Sequence, residues 1–127
     1  METNAEEAFL LFEKWRDAER YIFCASSLFG WGITFRGRVG ALSRDEVSIA
    51  ADDKFGGLFL RLQDPDMGFT YVEPREVPLE IMGTLPESAR EQSCLGVSLP
   101  LRVFLSAMEG PLTTPRREKL FFVEDES

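Results

Sequence analysis

The sequence predicts an α+β domain: an amphipathic N-terminal helix packed on a strongly bent antiparallel sheet or small barrel, plus one short helix near 85–94. Three observations predict it. Apolar residues recur at steps of three and four from Ala8 to Ile22. From Ile33 onward the apolar period drops to two. Short clusters of Gly, Pro and Asp then separate the alternating runs, as turns do. The chain has 127 residues, 44% of them hydrophobic and 12% aromatic. That is one domain's length, with enough apolar surface for a core without disulfides.

The helix is expected from about Ala5 to about Phe23. Thr3 and Asn4 each stand three residues before a glutamate, Glu6 and Glu7, which makes two overlapping capping-box candidates. Ala8, Leu11, Phe12, Trp15, Ala18, Tyr21 and Ile22 form its apolar stripe, and Glu6, Glu13, Lys14, Arg16, Asp17 and Arg20 fill the other side. The sheet is expected over about 31–107. Ile33, Phe35, Gly37, Val39 and Ala41 alternate with Thr34, Arg36 and Arg38, and Gly37 inside the strand signals a bend. Val47, Ile49 and Ala51 make a second strand after the turn at Ser43–Glu46, and Leu58, Leu60 and Leu62 a third. Asp64-Pro65-Asp66-Met67-Gly68 turns the chain into a fourth strand that Pro74 stops.

Val77, Leu79 and Ile81 alternate as a short edge strand would. Thr84-Leu85-Pro86-Glu87 repeats the capping-box spacing and opens the second helix, with Gly96 placed to end it. The longest alternation, Val97 to Ala107, predicts a strand at an edge or with a bulge, because Pro100 cannot donate to a ladder. Residues 110–127 read as an exposed tail, with Leu120–Val123 as one further short strand.

Composition narrows the function. The chain has no histidine, which closes Ser-His-Asp and Cys-His nucleophile pairs, an imidazole base and any His-bearing zinc site. No phosphate-binding glycine motif is present. Asp64-Pro65-Asp66-Met67-Gly68 lacks the glycine and glutamate positions of a calcium loop, so no metal and no cofactor is expected. Twenty-two acidic residues make some carboxylate pair inevitable, so pairs carry no information about catalysis. The formal charge of −8 offers no push toward phosphate backbones or anionic lipid. No apolar stretch is long enough for a membrane span, and two widely spaced cysteines, Cys24 and Cys94, read as reduced thiols of a cytoplasmic protein.

One helix followed by a curved strand with an internal glycine and short antiparallel strands resembles a small SH3-like barrel. The resemblance is to the Sm-like type, carried by Ile33–Val39 through Leu60–Asp64 and the strand near Leu101–Ala107. It covers about 75 residues of strand order. Membership would imply ring assembly and single-stranded RNA binding. The binding motifs do not match: the loop Asp52-Asp53-Lys54-Phe55-Gly56-Gly57 lacks the family pattern, and Arg102 is followed by Val103 where that family has glycine. The resemblance therefore implies a fold and no site.

Two candidate surfaces follow from the residues themselves. Arg36, Arg38 and Arg61, with Phe59 and Tyr71 as stacking rings, are the candidate ligand or nucleic-acid face; a solvated sheet face with cross-strand ion pairs to Asp45 or Glu46 is the plainer reading. Eight of the fifteen aromatics fall within residues 9–35. That surplus marks Phe9, Phe29 and Trp31 as a candidate subunit interface. The expected role is a non-catalytic, self-associating module, most simply a dimer, that binds a protein partner or small ligand. Nucleic acid is the alternative partner, and a membrane is not expected.

Overall fold

A computed structural model describes residues 1–28, 31–53, 56–100 and 116–124; of residues 27–28, 31–32, 99–100 and 116–117 it describes the backbone alone. Elements follow in the order β1 (Glu2–Thr3), α1 (Ala5–Asp17), β2 (Ile22–Leu28), β3 (Trp31–Leu42), β4 (Glu46–Ala51), β5 (Gly57–Arg61) and β6 (Gly68–Val72). A turn of 3-10 helix at Pro74–Glu76, α2 (Leu79–Met82), α3 (Glu87–Arg90), β7 (Cys94–Pro100) and β8 (Arg116–Val123) complete them. The architecture is α+β. Eight strands form one sheet in the order β1-β6-β7-β8-β2-β3-β4-β5, with every neighbouring pair antiparallel.

α1 starts as its sequence requires. Asn4 is the N-cap, and the Glu7 N–H donates to its Oδ1 at 2.9 Å, while the Thr3 hydroxyl donates to the Glu7 carboxylate. The helix ends at Asp17, six residues before the expected Phe23. Glu19 takes a left-handed φ of 51°, its N–H donates to the Arg16 carbonyl at 3.0 Å, and the Arg20 N–H reaches back to the Trp15 carbonyl at 3.0 Å. This is the Schellman arrangement, with glutamate where glycine is usual. Tyr21 and Ile22 therefore leave the helix stripe, and Ile22 and Phe23 open β2.

β4, β5 and β6 lie where alternation put them. The Ser43 turn closes through the Ser43 N–H to the Glu46 carbonyl at 2.8 Å, and Asp66 N–H donates to Asp64 Oδ1 at 2.9 Å in the next turn. The segment after Pro74 differs from expectation. Leu79–Met82 is a helical turn rather than an edge strand, and the second helix shrinks to Glu87–Arg90. The Thr84 capping box does not form; the Thr84 hydroxyl instead donates to the Ile81 carbonyl at 2.7 Å. Gly96, expected to stop that helix, lies buried inside β7, where a Cβ would come within 2.9 Å of Val72 Cγ2.

The C-terminal third is corrected most. β7 begins at Cys94, and it is no edge: it pairs with β6 over Cys94–Ser98 and with β8 over Leu95–Pro100. Pro100 is tolerated because it sits two residues beyond the last partner on β6. β8, expected to be a short strand in an exposed tail, is flanked by β7 and β2 in the middle of the sheet. Residues 101–107 of the predicted strand and 110–115 of the predicted tail lie outside the described residues.

Two apolar clusters sit on opposite faces of the sheet. On one face Ala8, Phe12 and Trp15 of α1 meet Ile22, Cys24, Val47, Ile49, Leu58, Leu60, Leu95, Val97 and Phe121. On the other, Val77, Ile81, Leu85 and Ala89 from the short helices meet Ala25, Val72, Cys94, Leu120 and Phe122. β2, β7 and β8 thus feed both clusters with alternate residues. β3, β4 and β5 pack against α1 on one face; on the other, Thr34 of β3 meets Thr84, and Arg36, Arg38, Ala50, Phe59 and Arg61 are exposed.

Candidate functional site: a cleft and an arginine face

A cleft of about 370 Å³ opens where the β2–β3 pair meets the β4–β5 end. Register builds it. Cys24 stands opposite Phe35, Ser26 opposite both Ile33 and Lys119, and Ala51 and Leu58 close it from β4 and β5, with Asp53 and Gly56 from the loop between. Cys24, Ala51 and Leu58 form buried walls, whereas Ile33 remains 48% exposed at the mouth. The lining is thus apolar surface with the polar residues Ser26, Asp53 and Lys119, while the Thr34 hydroxyl turns to the opposite face and meets the Thr84 hydroxyl at 2.9 Å. Ser26, Asp53 and Lys119 each already have an interaction within the protein. The volume falls at the small end of the range for small-molecule sites, roughly 300–1,000 Å³.

The two thiols are buried and free, Cys24 in the cluster under α1 and Cys94 in the cluster under the short helices. Burial pushes Cys24 well above the ordinary thiol value, against a small opposing pull from the Lys119 ammonium. Cys94 is pushed up to about 12, by burial first and by the Glu118 and Glu76 carboxylates second. Both are therefore protonated at neutral pH and poor nucleophiles. Because the folded values lie above the unfolded ones, their contribution to stability is intact below the ordinary thiol value and is lost as pH rises. We expect urea midpoints to fall progressively from about pH 9 upward, and Cys94→Ala to flatten that fall. An unchanged slope in the variant would contradict the assignment. Among the described residues no three His, Cys, Asp or Glu side chains gather as a metal site.

The arginine face is only partly the one expected. Arg36 Nε donates to Asp52 Oδ2 at 2.5 Å, and its Nη1 lies 3.3 Å from the Glu124 carboxylate. The Asp52 hydrogen bond, then the two carboxylate charges, raise the Arg36 pKa further. The cross-strand partners are thus Asp52 and Glu124, not Asp45 or Glu46. The Arg36 and Arg38 guanidinium carbons lie 4.4 and 4.0 Å from the centre of the Tyr21 ring, an aromatic expected in the helix. Arg20 Nη2 donates to the Glu124 carbonyl at 2.6 Å and the Glu124 N–H to the Tyr21 carbonyl at 2.8 Å, anchoring this cluster to the end of β8.

Phe59 and Arg61 share the exposed face but sit two strands away on β5. Tyr71 does not join them: it packs half-buried against the α1-side cluster from β6. Of the expected interface, Phe9 is half-buried against the same cluster, with the Arg44 guanidinium 5.3 Å over its ring. Phe29 and the side chain of Trp31 lie outside the described residues. The sequence reading missed the cleft because its walls come from alternate positions on four strands and no local motif spans them. Alternation marked Ile33, Phe35, Ala51 and Leu58 as apolar strand residues, and it gave no sign that they meet Cys24 in one cleft.

The fold so assembled is an α+β sheet protein with a small-molecule-sized cleft. No family model, curated protein or solved structure matches this chain. No helix among the described residues is long and apolar enough to cross a membrane.

Proposed function

We propose that this chain is a non-catalytic binding domain that self-associates and takes a small, mainly apolar ligand in the cleft between β2–β3 and β4–β5. The single observation carrying the reading is the cleft itself, with Cys24, Phe35, Ala51 and Leu58 as apolar walls. The protonated state of the buried Cys24 thiol supports holding a ligand over attacking it. Two free thiols, buried in separate clusters on opposite faces of the sheet, support a reducing, cytoplasmic setting. A bent sheet of the small-barrel, Sm-like type is the finer fold reading. It draws support from Gly37, where any Cβ would collide with the Ala50 carbonyl, so β3 and β4 approach closely there. Nucleic-acid binding has less support, since Asp52 and Glu124 already occupy Arg36 and Tyr71 faces the other way.

The test uses 1-anilinonaphthalene-8-sulfonate, whose rings and single anionic group suit such a cleft. We expect one saturable fluorescent site on the native protein and its loss in Ala51→Leu, which narrows the wall, with circular dichroism confirming that the variant folds. Absence of saturable binding, or unchanged binding by the folded variant, would overturn the cleft as the site.

A further inference from the structure

Among the described residues, β5 leaves one edge without a neighbouring strand. Among the described strands the sheet has two edges, β1 and β5, and they differ. β1 is two residues long, and the Met1 ammonium beside it donates to the Tyr71 carbonyl at 3.0 Å. β5 spans Gly57–Arg61 and pairs only with β4 among the described residues. It carries no proline, no lysine and no inward charge, the devices that usually protect an edge.

Backbone direction on this edge follows from two hydrogen bonds. The Ala51 N–H donates to the Gly56 carbonyl at 3.1 Å, and the Leu62 N–H donates to the Asp45 carbonyl at 2.8 Å. Residues 56 and 62 thus bond inward to β4, and with the unbroken register between them so do Leu58 and Leu60. Gly57, Phe59 and Arg61 consequently turn their N–H and C=O groups outward. The Phe59 side chain, at the middle of the strand, is 52% exposed on the face opposite α1.

We infer that two copies of this chain join β5 to β5 antiparallel about a two-fold axis at Phe59, making one continuous sheet. The self-association proposed above is the premise, and this names its surface. In that register Phe59 faces Phe59 and each Gly57 faces the other copy's Arg61. All three are hydrogen-bonded pairs, so every outward backbone group of the strand finds a partner. The two Phe59 rings meet on the exposed face, and Leu58 and Leu60 meet on the face of the α1-side core. A register centred on Arg61 would set like charges opposite each other, and one centred on Gly57 would leave Arg61 unpaired. The Phe59 register avoids both.

The experiment is size-exclusion chromatography with light scattering at tens of micromolar, on the full chain and two variants. Phe59→Lys places two ammonium groups face to face. Phe59→Pro removes an outward N–H and no bond to β4. We expect a dimer for the native chain and monomers for both variants, with the native circular dichroism spectrum retained. If Phe59→Pro does not fold, Phe59→Lys decides. A native dimer that persists in a folded Phe59→Lys overturns the β5 interface and leaves self-association standing. A strictly monomeric native chain overturns self-association itself.

Discussion

Ending the chain at residue 115 should abolish folding. The removed segment contains β8, which is registered with β2 from Ile22 to Ser27 and with β7 from Leu95 to Pro100. It also supplies Leu120, Phe121 and Phe122, all fully buried and shared between the two clusters. Burying one such side chain is worth about 1.5–3 kcal/mol. Three of them, together with both ladders of a central strand, rival the whole stability of a domain, about 5–15 kcal/mol. The truncated chain should lose its sheet circular dichroism and show no cooperative thermal transition. A truncated protein that still melts cooperatively would show that β8 is dispensable and that the sheet closes without it.

Phe12→Ala should be the most damaging single substitution on α1, at about 3–5 kcal/mol. The Phe12 ring is fully buried and meets Trp15 edge-on at 5.5 Å and Phe121 edge-on at 5.4 Å. Its loss leaves a void between helix and sheet and removes two edge-to-face contacts, each worth about 0.5–1.5 kcal/mol beyond area burial. Urea titration should give a lower midpoint with an unchanged slope, since the unfolded surface is nearly the same. The double variant with Phe121→Ala should cost less than the sum of the two singles, because they share one contact. A single-variant loss below about 1 kcal/mol would mean that α1 does not anchor the sheet through this ring.

These two expectations fall on opposite sides of what the sequence made legible. Phe12 belongs to the clear three-and-four-step pattern of Ala8, Phe12 and Trp15, and these residues are the ones α1 buries. β8 carried no such pattern. Leu120-Phe121-Phe122 is buried on both faces of the sheet, so its residues do not alternate and a short apolar run near the terminus looks like a minor strand. β4 and β5 were legible for the opposite reason, having one wet face: Val47 and Ile49 are buried while Glu46 and Ala50 are exposed. Residues 18–23 were misassigned because Tyr21 and Ile22 happen to fall at helical steps from Ala18. What stops the helix is a left-handed Glu19, and glutamate gives no such cue.

The candidate surfaces divide similarly. Alternation alone put Arg36 and Arg38 on one strand face, opposite Gly37 and Phe35. Only the register brought Asp52 level with Arg36 and folded the chain so that Glu124 and the Tyr21 ring reached the same place. The cleft and the β5 edge were both invisible in one dimension, because each depends on which strand lies beside which.

By itself the sequence indicated a helix start at Thr3 or Asn4, the strands around Val47–Ala51, Leu58–Leu62 and Phe69–Val72, and the absence of any imidazole chemistry. These follow from side-chain periods, turn residues and composition, all of them local. The tertiary structure decided strand order, the central place of β8, the partners of Arg36 and the walls of the cleft. Those depend on pairings between residues as distant in sequence as Ile22 and Val123. A strand's own residues state which of its faces is apolar and leave open which neighbour will hydrogen-bond to its edge.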